Sequence, residues 1–363
     1  MEATLSRIEE IRRSNPENLA AKHFDRLRFT ALPEQLQMRW LACIQSGLTI
    51  PESEMGAYAQ AVEDYEDLHD LFDPLIEAHH GLKLEAITAV EAQTKEPSKR
   101  PSNERDLSQI GLAPISCRVR LARNVDGFAF TTKMNLGERK ELEGKIADAL
   151  KAAAEKGIIA GNYHSLTPGH QNECRPNDLV RLLKLRLIFP DLRQDRYLMA
   201  AGIADDWPSG RGCFLSDDEQ SGVWIGEEDH LRIFAKCETT DLNAAYRQVK
   251  KIESTIQSGG IGFAHDERLG FLTSCPTNIG TGMRASVHLP LPNAIVTRRF
   301  AQLKERAKRL GLAIRGLAGE HTAPGSDGTV DISPSVRLGV SEEDILARLF
   351  DGIAALNDWV NLQ

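Results

Sequence analysis

Hydrophobic and polar positions along the chain fall into two textures. Over the first eighty residues apolar side chains recur three and four apart, as in LPEQLQMRWLACIQSGL and YEDLHDLFDPLIEAHHG. That spacing predicts helices throughout the segment. Gly81 suits a C-cap that ends it. A polar stretch, QTKEPSKRPSNERD, then reads as a linker. From Ile115 the period changes. Short alternating runs (ISCRVRLA, GVWI, HLRIF, GFLTS, RASVHL, AIRGLA) predict strands, with helices expected over 137–156, 241–257 and 293–310. Ser341 opens a last helix, because SEED has the pattern of a capping box. No internal repeat is visible. The expected fold class is α+β: a small all-helical N-terminal domain over 1–81, a linker over 82–113, and a larger domain over 114–363 with a mostly antiparallel sheet flanked by helices.

Composition narrows the class of partner. A chain of 363 residues with 41% hydrophobic and 26% charged residues suits a globular protein with a sizeable core. Its net charge of -8 argues against a nucleic-acid partner, which needs a basic face. The six cysteines (Cys43, Cys117, Cys174, Cys213, Cys237, Cys275) form no CxxC pair and read as free thiols in a reducing compartment. The opening MEATLSRIEEIRRSN lacks the apolar core of a signal peptide. No apolar run approaches the ~20 residues of a membrane span. A cytoplasmic location without a membrane partner is expected.

The strands carry the chemistry. Alternation places Ser116, Arg118 and Arg120 on one face, with Cys117, Val119 and Leu121 on the other. RASVHL repeats the pattern with Arg284, Ser286 and His288. EEDHLRIF read as a strand puts Glu228, His230 and Arg232 together and turns Glu227 and Asp229 away. AIRGLAGEH adds Arg315 beside a glycine-rich loop. A single such strand reads more simply as a solvated sheet face. Four of them in an acidic chain point to a polyphosphate, since each charge-assisted guanidinium bond is worth roughly 1.5–3 kcal/mol. Neither a Walker A motif nor the glycine-rich loop and catalytic motifs of protein kinases are present.

SCPTNIGTGMRASVHLPL sets a thiol, Cys275, and a cation, Arg284, on either side of a loop. This stretch resembles the signature of the phosphagen (ATP:guanidino) kinases. So do SCRVRLAR, WPSGRG, VWIGEEDHLRI, ERLGFLTS and RGLAGEHT, in the family's order. IQSGL, PESEMGAYA and DLFDPLIEAHHG resemble the small domain of the arginine kinases within that family. The resemblance covers nearly the whole chain. It implies reversible transfer of the ATP γ-phosphoryl group to the guanidino nitrogen of free L-arginine, with ATP/ADP and Mg²⁺ as cofactors. Taurocyamine, lombricine, protein arginine, or a silent nucleotide or arginine sensor are the alternatives.

The resemblance also implies roles. Arg118, Arg120, Arg232, Arg284 and Arg315 match the phosphate-clamping arginines, with Ser116 beside them. Glu228 and Glu320 match two carboxylates that hold the guanidinium, and Cys275 the thiol next to it. Ser53, Glu54, Met55 and Tyr58 match the loop that grips the amino-acid end. His288 and Asp331 fall where the nucleoside is contacted. Mg²⁺ would sit on the phosphates and keep most of its waters, with Glu227 or Asp229 orienting them. A neighbouring cation is expected to lower the thiol pKa. Four positions depart from the pattern: Leu215 replaces an adenine-side histidine, Gly226 an asparagine, Ala318 an arginine and Glu54 a small residue.

Overall fold

The structure, a computed structural model, describes residues 1–86, 101–292, 298–316, 325 and 328–361. Among them are thirteen α-helices and ten strands: β1 (Ile115–Arg123), β2 (Gly161–Ser165), β3 (Gly212–Ser216), β4 (Ser221–Ile225), β5 (Leu231–Thr239), β6 (His265–Asp266), β7 (Gly270–Phe271), β8 (Met283–Pro290), β9 (Leu312–Arg315) and β10 (Thr329–Pro334). Eight strands belong to one mostly antiparallel sheet, and β6 and β7 form a separate hairpin. The α+β class expected from the sequence is the class observed. No described helix is long and apolar enough to cross a membrane.

The chain divides into two compact units. The first takes the described residues of 1–88, 122–232 and 255–282. Its helical start is built as the periodicity predicts, around Ile8, Ile11, Phe29, Trp40, Leu71 and Phe72, all buried. Trp40 meets Phe24 and Phe29 edge-on at 6.1 and 5.9 Å, a geometry that aromatic quadrupoles favour. Gly81 ends the helix His69–His80 in the left-handed region, its N–H bonded to the Glu77 carbonyl. The expectation of unbroken helix fails between Thr49 and Asp64. There Pro51 and Gly56 (φ +71°) turn the chain, and a Cβ at Gly56 would lie 2.5 Å from Asn18 Oδ1. This unit also holds β2, β3 and β4 in that order. The helices Pro176–Lys184 and Arg196–Ala200 and the strands β2 and β3 were not foreseen.

The second unit takes the described residues of 89–121, 233–254 and 283–363, and its strands run in the order β5-β1-β8-β10-β9. Cys117, Val119, Leu121, Ala285, Val287, Leu289, Val330 and Ile332 bury one face of that sheet. The helix Glu342–Asn361 packs on β8 and β10 through Leu346, Leu349, Phe350 and Ile353. Its start is a reciprocal box, as SEED predicts. Ser341 Oγ accepts from the Asp344 N–H at 3.1 Å, and Asp344 Oδ2 accepts from the Ser341 N–H at 3.0 Å. Further upstream, Leu107 and Arg105 are buried, the latter paired with Glu343. Ser341→Ala should cost about 1 kcal/mol through the lost cap. Urea unfolding read by circular dichroism checks it, and an unchanged midpoint would remove the cap from the account of this helix.

Candidate active site

In the first unit, a cluster of charged side chains gathers around the segment 226–230. Gly226 (φ +70°) bends the chain there, and a Cβ would sit 2.5 Å from the Gly210 carbonyl oxygen. This position therefore has a local steric reason to be glycine. The strand begins only at Leu231, so strict alternation does not extend back over EEDH. His230 does not join Arg232 on one face. It is buried, accepts the Val125 N–H at Nδ1 (2.9 Å) and donates from Nε2 to the Ala129 carbonyl (2.8 Å). Burial lowers its pKa to about 4. Nor does Glu227 turn away from Glu228. Both meet Arg232, at 2.6 Å and 3.4 Å.

Glu228 is largely but not fully buried, its side chain 19% exposed. Its Oε1 accepts from Asn278 Nδ2 at 3.2 Å. Burial raises its pKa to about 7, and the charges of Asp229 and Glu227 add to the rise while Arg232 opposes it. Asp229 is fully buried. Its Oδ1 accepts from Asn124 Nδ2 and from the Ser274 N–H, both at 2.8 Å. That places Asp229 inside the scaffold, while Glu227 is held in an ion pair with Arg232.

Ser274 leads to Cys275, which is 7% exposed. Its Sγ lies 3.1 Å from Thr277 Oγ1. Burial, then the Glu228 charge, push this thiol up to about 12. The lowered thiol pKa expected from the sequence is not found. Burial and the nearby Glu228 carboxylate dominate at the sulfur, and both favour the neutral form.

The loop 272–276 is tied to the helical segment. Tyr65 Oη donates to the Thr273 carbonyl (2.8 Å), the Ala59 N–H to Ser274 (2.8 Å), and His80 Nε2 lies 3.0 Å from the Pro276 carbonyl. Tyr58 is one residue from Ala59. Burial pushes its phenol well up, with the Cys275 and Glu228 charges next in order. Ser53 Oγ accepts from the Gly56 N–H at 3.0 Å. The carbonyls of Glu54 and Met55 accept from Leu19 and Ala20. Met55 is buried, whereas the Glu54 side chain is exposed to solvent. The structure thus brings Glu228, Arg232, Cys275 and Tyr58 into one neighbourhood.

The second unit carries the arginine face. Register pairs Ser116 with His288, His288 with Asp331, and Asp331 with Arg315. One row thus crosses four strands. The next pairs are Arg118 with Ser286 and Arg120 with Arg284. Directly paired residues point to the same face, so these side chains share the side opposite the apolar core. Arg284 Nη2 donates to Asp331 Oδ1 at 2.6 Å, and His288 Nε2 lies 3.5 Å from Asp331 Oδ2. Ser286 Oγ donates to that same oxygen at 3.2 Å. Burial raises the Asp331 pKa, but His288, Arg284 and Ser286 together hold it below the ordinary value. β10, the strand that delivers Asp331, was not predicted as a strand.

Glu320 and Ala318 lie outside the described residues. Leu215 is buried in β3. Sequence reasoning missed Asn278, Thr277 and Asn124. The proximity of Asn278 to Cys275 in CPTNIG was a usable signal, whereas Asn124 acts only through the fold. Among the described residues no cluster of three or more His, Cys, Asp or Glu side chains has metal-binding geometry.

Comparisons give this arrangement a context. Residues 141–359 match the family model described as ATP:guanido phosphotransferase, C-terminal catalytic domain. The chain is 37% identical over 341 residues to "Arginine kinase" of Schistocerca americana, covering 93% of this chain and 90% of the relative. It is 35% identical over 370 residues to "Arginine kinase 1" of Drosophila melanogaster, covering 98% and 97%. Among solved structures it resembles the substrate-free duplicated taurocyamine kinase of Schistosoma mansoni (TM-score 0.80, 29% identity), covering 99% of this chain and 48% of that one. The chain thus spans about half of that duplicated protein. A lombricine kinase crystal structure matches with a TM-score of 0.73 and 27% identity, covering 88% and 85%.

The Glu228 charge raises the Cys275 pKa. Glu228→Gln should therefore increase the thiolate fraction and speed alkylation of Cys275 by iodoacetamide at pH 8. Peptide mass spectrometry reads it, and an equal or slower rate would separate the two groups.

Proposed function

The chain belongs to the ATP:guanido phosphotransferases, and on that premise we propose that it reversibly transfers the γ-phosphoryl group of ATP to a guanidino nitrogen of free L-arginine, giving phosphoarginine, ADP and a proton. The observation that carries this reading is the cluster in which a largely buried carboxylate, Glu228, and a neutral thiol, Cys275, adjoin Tyr58. A planar cation satisfies such a cluster, because it compensates the carboxylate and lays its face or edge on the polarisable sulfur. Likeness to named arginine kinases along both the helical start and the sheet favours arginine among guanidines.

In this reading Glu228 accepts guanidinium N–H bonds, and Glu320 is the second carboxylate. With its pKa near 7, Glu228 is matched to take the proton that leaves as the N–P bond forms. Cys275 packs against the guanidine. Ser53, Glu54 and Met55 contribute their turn to the amino-acid end, together with Tyr58. The helical segment 1–81 is assigned to acceptor recognition and 114–363 to phosphoryl transfer.

Arg118, Arg120, Arg284 and Arg315 bind phosphate oxygens, joined by Arg232. Ser116, His288 and Asp331 are placed at the nucleoside side of that row. The arginine row fits ATP, since guanidinium forks match phosphate and the transition state spreads charge over equatorial oxygens. Mg²⁺ fits as an ion carried on those phosphates, with Glu227 near its waters, because Mg²⁺ seldom uses an all-protein cage; when bound it neutralises phosphate charge.

A coupled ADP-release assay across L-arginine, taurocyamine, lombricine, creatine and an unfolded arginine-rich protein tests the assignment. Arginine should exceed each competitor by at least about tenfold in kcat/KM. A larger value for taurocyamine or lombricine would replace arginine as acceptor, and tight ATP binding without turnover on any acceptor would identify a sensor.

A further inference from the structure

RVRLAR contains a third arginine that the phosphate row does not use. Arg123 shares its parity with Val119 and Leu121, the core side of β1, and its side chain is completely buried. A buried guanidinium requires partners. Arg123 finds them at the two ends of one loop. Its Cζ stacks 3.5 Å above the centre of the Phe271 ring. Its Nη1 donates to the carbonyls of Thr281 and Ala122, both at 2.8 Å.

Phe271 and Thr281 flank the segment that carries Cys275, Thr277 and Asn278. The ends are also closed by the Phe271 N–H bond to the Gly280 carbonyl at 2.7 Å. Gly282 (φ +59°) makes room for the arrangement, since a Cβ there would lie 2.7 Å from Arg123 Nη1. Gly270 likewise admits Gly280, whose carbonyl oxygen would be 2.6 Å from an added Cβ.

We infer that Arg123 is a positioning residue for the acceptor pocket: by stacking on Phe271 and bonding Thr281 it fixes the loop 271–281, and through it the Cys275 sulfur and the Asn278 amide that holds Glu228. Its guanidinium acts as a flat, forked brace. Lysine offers neither the planar face nor the fork. The acceptor part of this inference rests on the function proposed above. The geometric part does not, because loop rigidity is read without any substrate.

The experiment uses the full chain and two variants, Arg123→Lys and Phe271→Leu. The first measurement is the iodoacetamide alkylation rate of each cysteine over pH 7 to 10, resolved by peptide mass spectrometry with no substrate present. Both variants should speed Cys275 by about tenfold or more while leaving Cys43, Cys117 and Cys213 slow. The second is steady-state kinetics with the acceptor that turns over. Acceptor KM should rise about tenfold with ATP KM within about twofold, as expected when a loop shifts by a fraction of an ångström. Rates at Cys275 and acceptor KM that stay at wild-type values in both variants would overturn the inference. Equal acceleration at all six thiols would overturn it too, because that marks general loosening rather than a local brace. Should arginine fail as an acceptor, the alkylation rates still decide the role of Arg123.

Discussion

The site depends on holding negative charge out of water before a substrate arrives. Glu227, Glu228 and Asp229 are consecutive carboxylates at the entrance of β5, and the cation they meet is Arg232. Burying a carboxylate is costly unless it is paired or supplied with donors. Asp229 receives its donors from Asn124 and the Ser274 backbone, and Glu227 takes the closest grip on Arg232. Glu228 has a long bond to Arg232 and one to Asn278, and Asp229 Oδ2 is buried without a hydrogen-bond partner. Burial first, then the two neighbouring acids, raise the Glu228 pKa against the pull of Arg232. A cationic ligand opposes that rise. The neutral thiol of Cys275 follows first from its own burial and then from the Glu228 charge beside it, which disfavours a second anion.

The arginine face solves the opposite problem. Arg118, Arg120, Arg284 and Arg315 would repel one another if crowded without acids. Pairing across strands distributes them, and Asp331 sits opposite both His288 and Arg315 in the register while bonding Arg284. One carboxylate thereby orders two basic side chains, Arg284 and His288, on the sheet. Sites mounted on strands hold such geometry better than sites on loops. The loops that do contribute, 53–56 and 271–281, are fixed by glycines with positive φ and by buried backbone bonds.

Much of this was legible in the sequence. Period-2 alternation gave the arginine face of β1 and β8, because both strands have one buried and one polar side. The capping pattern gave the last helix, since that motif is purely local. The segment 226–230 was misread because alternation presumes extended backbone, and Gly226 ends it there. His230 and Asp229 became scaffold residues only through Asn124 and Val125, about a hundred positions away in the chain. Arg123 was invisible as a brace for the same reason: its partners, Phe271 and Thr281, are distant in sequence and common in type. The pKa of Cys275 was misjudged because the sequence displayed a nearby cation, Arg284, but not the burial and the acid that surround the sulfur.

The central claim is that Glu228 is a carboxylate held partly protonated by burial and neighbouring acids, and that it ionises fully when a guanidinium enters. Isothermal titration of the acceptor into nucleotide-free protein, repeated in buffers of different ionisation enthalpy, measures the linked protons directly. With a pKa near 7, about half to three-quarters of a proton should leave per acceptor at pH 6.5, falling toward zero by pH 8.5 and vanishing in Glu228→Gln. Binding that releases no protons at pH 6.5 in the wild-type protein would contradict the account.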